Sequence, residues 1–159
     1  NINSKIVLIG LGPGKSEDEQ GRPFVGRAGQ FLNELLEIVG WKREEIFITN
    51  VVKCFLPENK ATKEQVRICT SLYLDKQLEI LNPEIIITLG DVATSYIFQK
   101  FNLKLKPISK IHGKIFKVNT LRGRKIIVPM YHPAVALYNP NFKDVLRKDW
   151  KNLKAALKK

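Results

Sequence analysis

"KIVLIGLGPGKSEDEQGRPFVGRAGQ", Lys5 to Gln30, decides how the rest of the chain is read. Lys5–Ile9 is a short run rich in β-branched residues that gives way at once to glycines. That is the pattern of a strand buried on both faces and feeding a ligand loop. Gly14-Lys15-Ser16 has the ending of a phosphate-binding loop. Such a loop also needs a glycine at position 9, so that successive backbone N–H groups can wrap the phosphates, and Ile9 stands there. A dinucleotide fingerprint needs its third glycine at position 15, which is Lys15. Both motifs further need a helix directly after the loop, its N-terminus facing the anion. Here Glu17-Asp18-Glu19 follows, which repels phosphate, and then Gly21-Arg22-Pro23. The loop therefore suits another ligand, a planar one surrounded by backbone donors and a few side chains. Phe24, between Pro23 and Val25-Gly26, is either a stacking platform for it or plain core.

Three further apolar runs, Ile46–Thr49, Ile85–Leu89 and Ile126–Met130, read as strands of the same doubly buried kind. Helical patterns lie between them. Ala28–Val39 puts Phe31, Leu32, Leu35, Leu36 and Val39 on one stripe, and a second helix runs from Thr62 to about Leu81, where Asn82-Pro83 ends it. Asp91 is expected to cap a third helix, to about Phe101, and the last spans Phe142–Leu157. "ISKIHGKIFKVN", Ile108–Asn119, has a glycine between two alternating runs and reads as a hairpin. The expectation is an α/β chain, residues 1–159 forming one domain: a three-layer α/β/α sandwich with a central four-stranded parallel sheet. Such sheets bind ligands outside the carboxyl ends of their strands. The residues there are Gly10–Gly14, Asn50, Gly90-Asp91 and Tyr131-His132-Pro133. The Asn50 amide can donate and accept at once, as the edge of a nucleobase requires, or it caps its own turn. His132 is either structural or part of the same cleft.

The formal charge of +12 is unevenly spread: residues 92–143 hold ten Lys/Arg and no Asp or Glu. A solvated surface usually mixes signs, so this stretch points to a face that meets a polyanion, by default nucleic acid. Cys54 and Cys69 are too few for a secreted disulfide scaffold and suit a reducing cytosol. No apolar run approaches the length of a membrane span and no signal peptide is evident, so a membrane role is not expected. The first residue is Asn1 rather than Met, so an upstream segment is expected to have been removed or left out.

"GPGKSEDEQGRPFVGRAGQFL", "ITNVVKC", "PEIIITLG" and "YHPAVALYNP" together resemble the iron–sulfur type, family 4, of the uracil-DNA glycosylases, in order and in spacing across essentially the whole chain. The resemblance implies a monofunctional repair enzyme that flips deoxyuridine out of DNA, hydrolyses its N-glycosidic bond, releases free uracil and leaves an abasic site. It implies that Phe24 stacks on the base, that Asn50 reads its carbonyl and ring N–H edge, and that Glu17 excludes the methyl group of thymine. Gly12 offers backbone groups to the base. His132 donates to the uracil carbonyl oxygen as negative charge builds on the leaving base. The loop of Pro133, Ala134, Val135, Leu137 and Tyr138 presses into the duplex. Gly90 and Thr94 belong to a turn whose helix N-terminal amides meet a backbone phosphate.

Two departures from the family pattern stand out. Leu11 occupies the position of the family's Glu, as it does in family 5 relatives that still act, so water activation falls to backbone groups and His132. The family also binds a [4Fe–4S] cluster through four cysteines. Cys54 and Cys69 match the second pair, and the first, a Cys-x-x-Cys segment, is absent from these residues. Either that pair lies upstream or this protein has no cluster; the chemistry itself requires no cofactor. The expected partner is uracil-containing DNA, single- or double-stranded, met by a monomer in the cytoplasm of a prokaryote and held at the nucleoid by DNA binding. Leu11 motivates the alternative of a non-catalytic module that binds uracil or damaged DNA, and a nucleotide-binding or phosphotransfer domain is the third class.

Overall fold

A computed structural model describes residues 5–11, 26–51, 64 and 73–158. Five strands form one sheet: β1 (Ile6–Gly10), β2 (Phe47–Asn50), β3 (Ile85–Leu89), β4 (Phe116–Thr120) and β5 (Gly123–Met130). Their order is β2-β1-β3-β5-β4. The four strands expected from the sequence are parallel, and β4 is a fifth, antiparallel to β5 at the edge. Around them lie α1 (Arg27–Val39), α2 (Asp75–Leu81), α3 (Asp91–Lys100), α4 (Ile108–Ile111), α5 (Val135–Tyr138) and α6 (Phe142–Leu157).

Strand side chains alternate between faces, and here both faces are apolar. Leu8, Ile87 and Val128 point one way, into a core completed by Phe31, Leu32, Leu35 and Leu36 of α1 and by Trp150 and Leu153 of α6. Val7, Ile9, Ile86 and Ile127 point the other way, toward Leu78 and Leu81 of α2 and Ile97 and Phe98 of α3. Three layers result, as expected. The stripe read on the first helix is the buried face of α1. Of the helix expected over Thr62–Leu81, the carboxyl end is described as α2, closed by Asn82 in the left-handed region. The third helix starts one residue earlier than a cap at Asp91 implies: Gly90 is the N-cap and Asp91 the first helical residue.

The hairpin expected over Ile108–Asn119 needs correction. Pro107, with φ fixed near −54°, starts a short helix instead, in which Lys110 N–H donates to Pro107 O and His112 N–H to Ile108 O. Ile111 then faces the second core. Gly113 (φ +77°) ends that turn, and its N–H is donated to Pro129 O. The hairpin comes one segment later, β4 to β5 around Leu121-Arg122, where the Thr120 hydroxyl accepts from Arg122 N–H and donates to Gly123 O. Apolar Phe116 and Val118 alternating with Lys117 and Asn119 are what the sequence pattern detected. The glycine was the wrong place to turn it.

Candidate functional site

The strand order runs in opposite directions from β1 and β3, so the sheet has its crevice at their carboxyl ends. Ladder pairing sets Gly10 beside Asn50, and Leu89 beside Met130. Two backbone hydrogen bonds carry the ladder one step past the strands: Val51 N–H to Gly10 O at 2.8 Å and Gly90 N–H to Met130 O at 2.9 Å. Leu11, Asn50, Gly90 and His132 are thereby held along one rim, Asn50 and His132 about three strand spacings, or about 15 Å, apart.

Asn50 is 7 % exposed, and its Oδ1 meets no hydrogen-bond partner among the described residues. A buried amide oxygen left without a donor costs about 1–3 kcal/mol. At the mouth of the crevice, such an oxygen is chemically able to accept a hydrogen bond from a ligand. Capping its own turn, the other reading of Asn50, would have used this oxygen.

His132 follows β5, and the Ala134 N–H donates to its Nδ1 at 3.0 Å. An amide can only donate, so Nδ1 is the accepting nitrogen and the ring proton of neutral imidazole sits on Nε2. The backbone thus fixes the tautomer, with the ring proton on Nε2. Gly90 stands against it: its φ of +90° and ψ of 177° suit glycine alone, and a Cβ added there would lie 3.4 Å from His132 Cβ.

Behind His132 is a layer that sequence reading missed. Tyr131 lies 4.6 Å, centroid to centroid, from the His112 ring and meets Phe142 edge-on at 5.2 Å. His112 Nδ1 bonds Asp149 Oδ2 at 2.6 Å. Burial raises the Asp149 carboxyl above its usual range, opposed by the hydrogen bond and charge of His112 and by Lys148. Burial likewise raises the Tyr131 phenol, followed by the charges of Asp149 and Asp91. The one signal in the sequence was an Asp, Asp149, among apolar helix positions of α6.

The remaining predicted residues divide. Pro133 and Ala136 are buried and anchor the short α5; Val135 and Leu137 are half-buried, and Tyr138 is 79 % exposed at its end. Leu137 also borders a depression of about 370 Å3 with Arg27 and Lys143, two cations the motif reading had not singled out. Leu11 packs against the second core and offers no polar group. Thr94 turns inward: it is 1 % exposed, its Oγ1 lies 2.8 Å from that of Thr88, and its N–H is donated to Gly90 O. The Thr94 hydroxyl and N–H are thus both engaged within the protein. Gly12, Glu17, Phe24, Cys54 and Cys69 lie outside the described residues.

The chain carries two cysteines, where a [4Fe–4S] cluster held by thiolates takes four. Among the described residues no group of three or more His, Cys, Asp or Glu could hold a metal. The 159 residues do not by themselves furnish the ligand set. No helix among the described residues is long and apolar enough to cross a membrane.

The model of the uracil DNA glycosylase superfamily matches residues 1–154. A type-4 uracil-DNA glycosylase of Saccharolobus solfataricus is 46 % identical over 158 residues, covering 99 % of this chain and 73 % of that one. Its counterpart in Archaeoglobus fulgidus is 40 % identical over 154 residues, covering 96 % and 77 %. A type-5 uracil-DNA glycosylase of Thermus thermophilus is 30 % identical over 145 residues, covering 81 % of this chain and 64 % of that one. With the family model matching residues 1–154 and relatives 46 % and 40 % identical over nearly all of it, the chain belongs to the uracil-DNA glycosylase superfamily.

Proposed function

We propose that this protein is a uracil-DNA glycosylase: it excises uracil from DNA and leaves an abasic site. The observation that carries the chemistry is the Ala134 amide on His132 Nδ1, which assigns the ring proton of neutral imidazole to Nε2. The flipped uracil lies with one edge against the Asn50 amide, whose Oδ1 has no partner among the described residues, and a carbonyl oxygen on His132. As the C1′–N1 bond breaks, its electron pair moves into the base, and charge gathers on that oxygen. A fixed donor aimed there is typically worth about 3–4 kcal/mol in the transition state. Water adds to the cationic C1′; one of its protons ends on the departing uracil and the other stays as the sugar hydroxyl.

By the family resemblance, Phe24 stacks on the base, Glu17 crowds its C5 position, and Gly12 supplies backbone groups to base and water. Leu11 removes the carboxylate that family 4 carries, so His132 bears a larger share of catalysis. Tyr138, with Val135 and Leu137, fills the gap left by the flipped nucleotide. Arg27, Lys143 and the first-turn amides of α3 hold phosphates. Cys54 and Cys69 are the half of a cluster set that this sequence supplies. The protein works as a monomer on single- or double-stranded DNA in the prokaryotic cytoplasm, at the nucleoid.

Single-turnover excision from a labelled oligonucleotide carrying one uracil, as U·G, U·A and single strand, tests the reading. Release of free uracil is expected. Tight binding to uracil-containing DNA with no release would instead make this the non-catalytic module.

A further inference from the structure

Where the parallel strands begin, at the end of the sheet away from His132, the surface carries a cleft of about 850 Å3 bordered by Lys5, Glu84, Lys117, Arg122, Arg124 and Lys125. All but Glu84 are cationic. Lys125 is only 8 % exposed, and its ammonium donates to Asn82 Oδ1 at 2.8 Å and Pro83 O at 2.7 Å, both neutral oxygens. Burial lowers its pKa, and the charges of Arg122 and Lys5 lower it further, against the pull of Glu84. An ammonium has three donors, so a buried one with two neutral acceptors and cationic neighbours lies in a place short of negative charge.

The other cations form a row. Lys117 pairs opposite Ile126 and Arg124 opposite Asn119, which makes Lys117 and Arg124 diagonal neighbours on one face of the β4–β5 ribbon, about 7–8 Å apart. Arg122 is braced by donating to Glu79 O at 2.6 Å. Spread charge of this kind matches a repeating anion better than a single one. The lining includes no aromatic side chain on which a base could stack.

We propose that this pole is a second DNA contact, taking the phosphodiester backbone of a segment other than the one being read at the crevice. Holding a second segment lets the protein pass between duplexes without returning to free solution. The cleft also takes four of the ten cations of the carboxylate-free stretch: Lys117, Arg122, Arg124 and Lys125 belong to it and stand away from the crevice.

The test uses the full chain and short uracil-free duplexes at low salt, with stoichiometry read by native mass spectrometry and sedimentation. Two duplexes per chain are expected for the wild type. R122E/R124E should weaken the second at least tenfold and lower its log K against log salt slope by about 2, near 0.9 for each lost phosphate. Single-turnover excision on a short uracil oligonucleotide should stay within about twofold. K117E/R124E keeps the Arg122 brace and should behave alike. One duplex per chain for the wild type, or a second duplex retained by both variants, overturns the proposal. So does binding of inorganic phosphate at the cleft without a second duplex, or excision lost in step with it by folded variants. Because the binding arm uses no uracil, two duplexes bound by a protein that never excises would sink the glycosylase reading and leave this one standing.

Discussion

The two ends of the one sheet are built on different principles. At the carboxyl end the important groups are neutral and fixed: a buried amide with an unused oxygen, an imidazole whose tautomer a backbone N–H dictates, and a glycine in a conformation other residues avoid. At the amino end the backbone is well paired, with Glu84 and Ile85 N–H both donated to Lys5 O and Ile126 N–H to Glu84 O, and what distinguishes the surface is charge. Reading one base demands donors and acceptors in set positions and tolerates strain to keep them there. Holding a polyanion demands only a field, which long side chains supply. Substitutions of the neutral groups at the first end should therefore change rate and leave salt dependence alone, and those of the cations at the second should do the reverse.

His132→Ala should give the largest effect. Single-turnover excision is expected to fall at least about 100-fold, the low end for losing a donor at a developing oxyanion, while binding to undamaged duplex is unchanged. Near wild-type excision by this variant would take the chemistry away from β5. Asn50→Ala follows. Losing a two-point contact to a base edge costs about 1–3 kcal/mol, or roughly 5- to 150-fold in excision. The unpartnered Oδ1 adds a sharper criterion. Deleting it removes a desolvation cost, so the melting temperature should hold or rise while activity falls. A variant that loses stability and activity together would make Asn50 an ordinary structural residue.

Gly90→Ala should have a smaller effect that links the two ends. Forcing a side chain to φ +90° costs on the order of 1–3 kcal/mol, and the new Cβ would come into contact with His132 Cβ at 3.4 Å. Thermal stability and excision should both fall, with the salt slope of duplex binding unmoved. A change in that slope would mean that the corner at α3 carries more of the DNA than the amino-terminal cleft does.

The layers and the crevice were legible because the sequence repeats one unambiguous signal. Runs such as Ile85–Leu89, apolar on both faces and ended by Gly90-Asp91, place the sheet and the strand ends without tertiary information. The placement of His132 and Asn50 at strand ends was legible for the same reason: each follows or ends such a run. The failures arose where a local signal had two outcomes. Gly113 could turn a hairpin or end a helix, and Pro107 three residues before Lys110 favoured the helix. Thr94 is polar and near a helix start, yet the preceding strand presents Thr88, and the two hydroxyls satisfy each other in the core. The carboxylate-free stretch reads as one face because sequence order does not say that β4 and β5 carry four of its ten cations to the far pole. His112 and Asp149 are 37 positions apart, and no pattern pairs them.

That pair yields the smallest effect and the finest test of the reading end. Asp149 is buried on α6 and bonded to His112, whose ring lies on Tyr131 next to His132. Burial holds its carboxyl above the usual value of 3.8, with His112 and Lys148 pulling the other way. A raised folded-state pKa means that the fold binds the proton more tightly than the unfolded chain does. The associated stability is full below the unfolded value and is lost as pH rises through the folded one. An amide in place of the carboxyl does not titrate, so Asp149→Asn should remove this loss while its amide oxygen still accepts from His112. The difference in melting temperature, variant minus wild type, should therefore grow as pH climbs from about 4 toward neutrality, by a few degrees at most. Parallel melting curves would mean that Asp149 gains from His112 what it loses by burial. A difference that shrinks with pH would mean that the ion pair dominates and holds the carboxyl low. Excision should change less than twofold if the layer only supports the Tyr131–Pro133 turn. A larger change at constant DNA affinity would make Asp149, through His112 and Tyr131, a positioning residue for the catalytic imidazole.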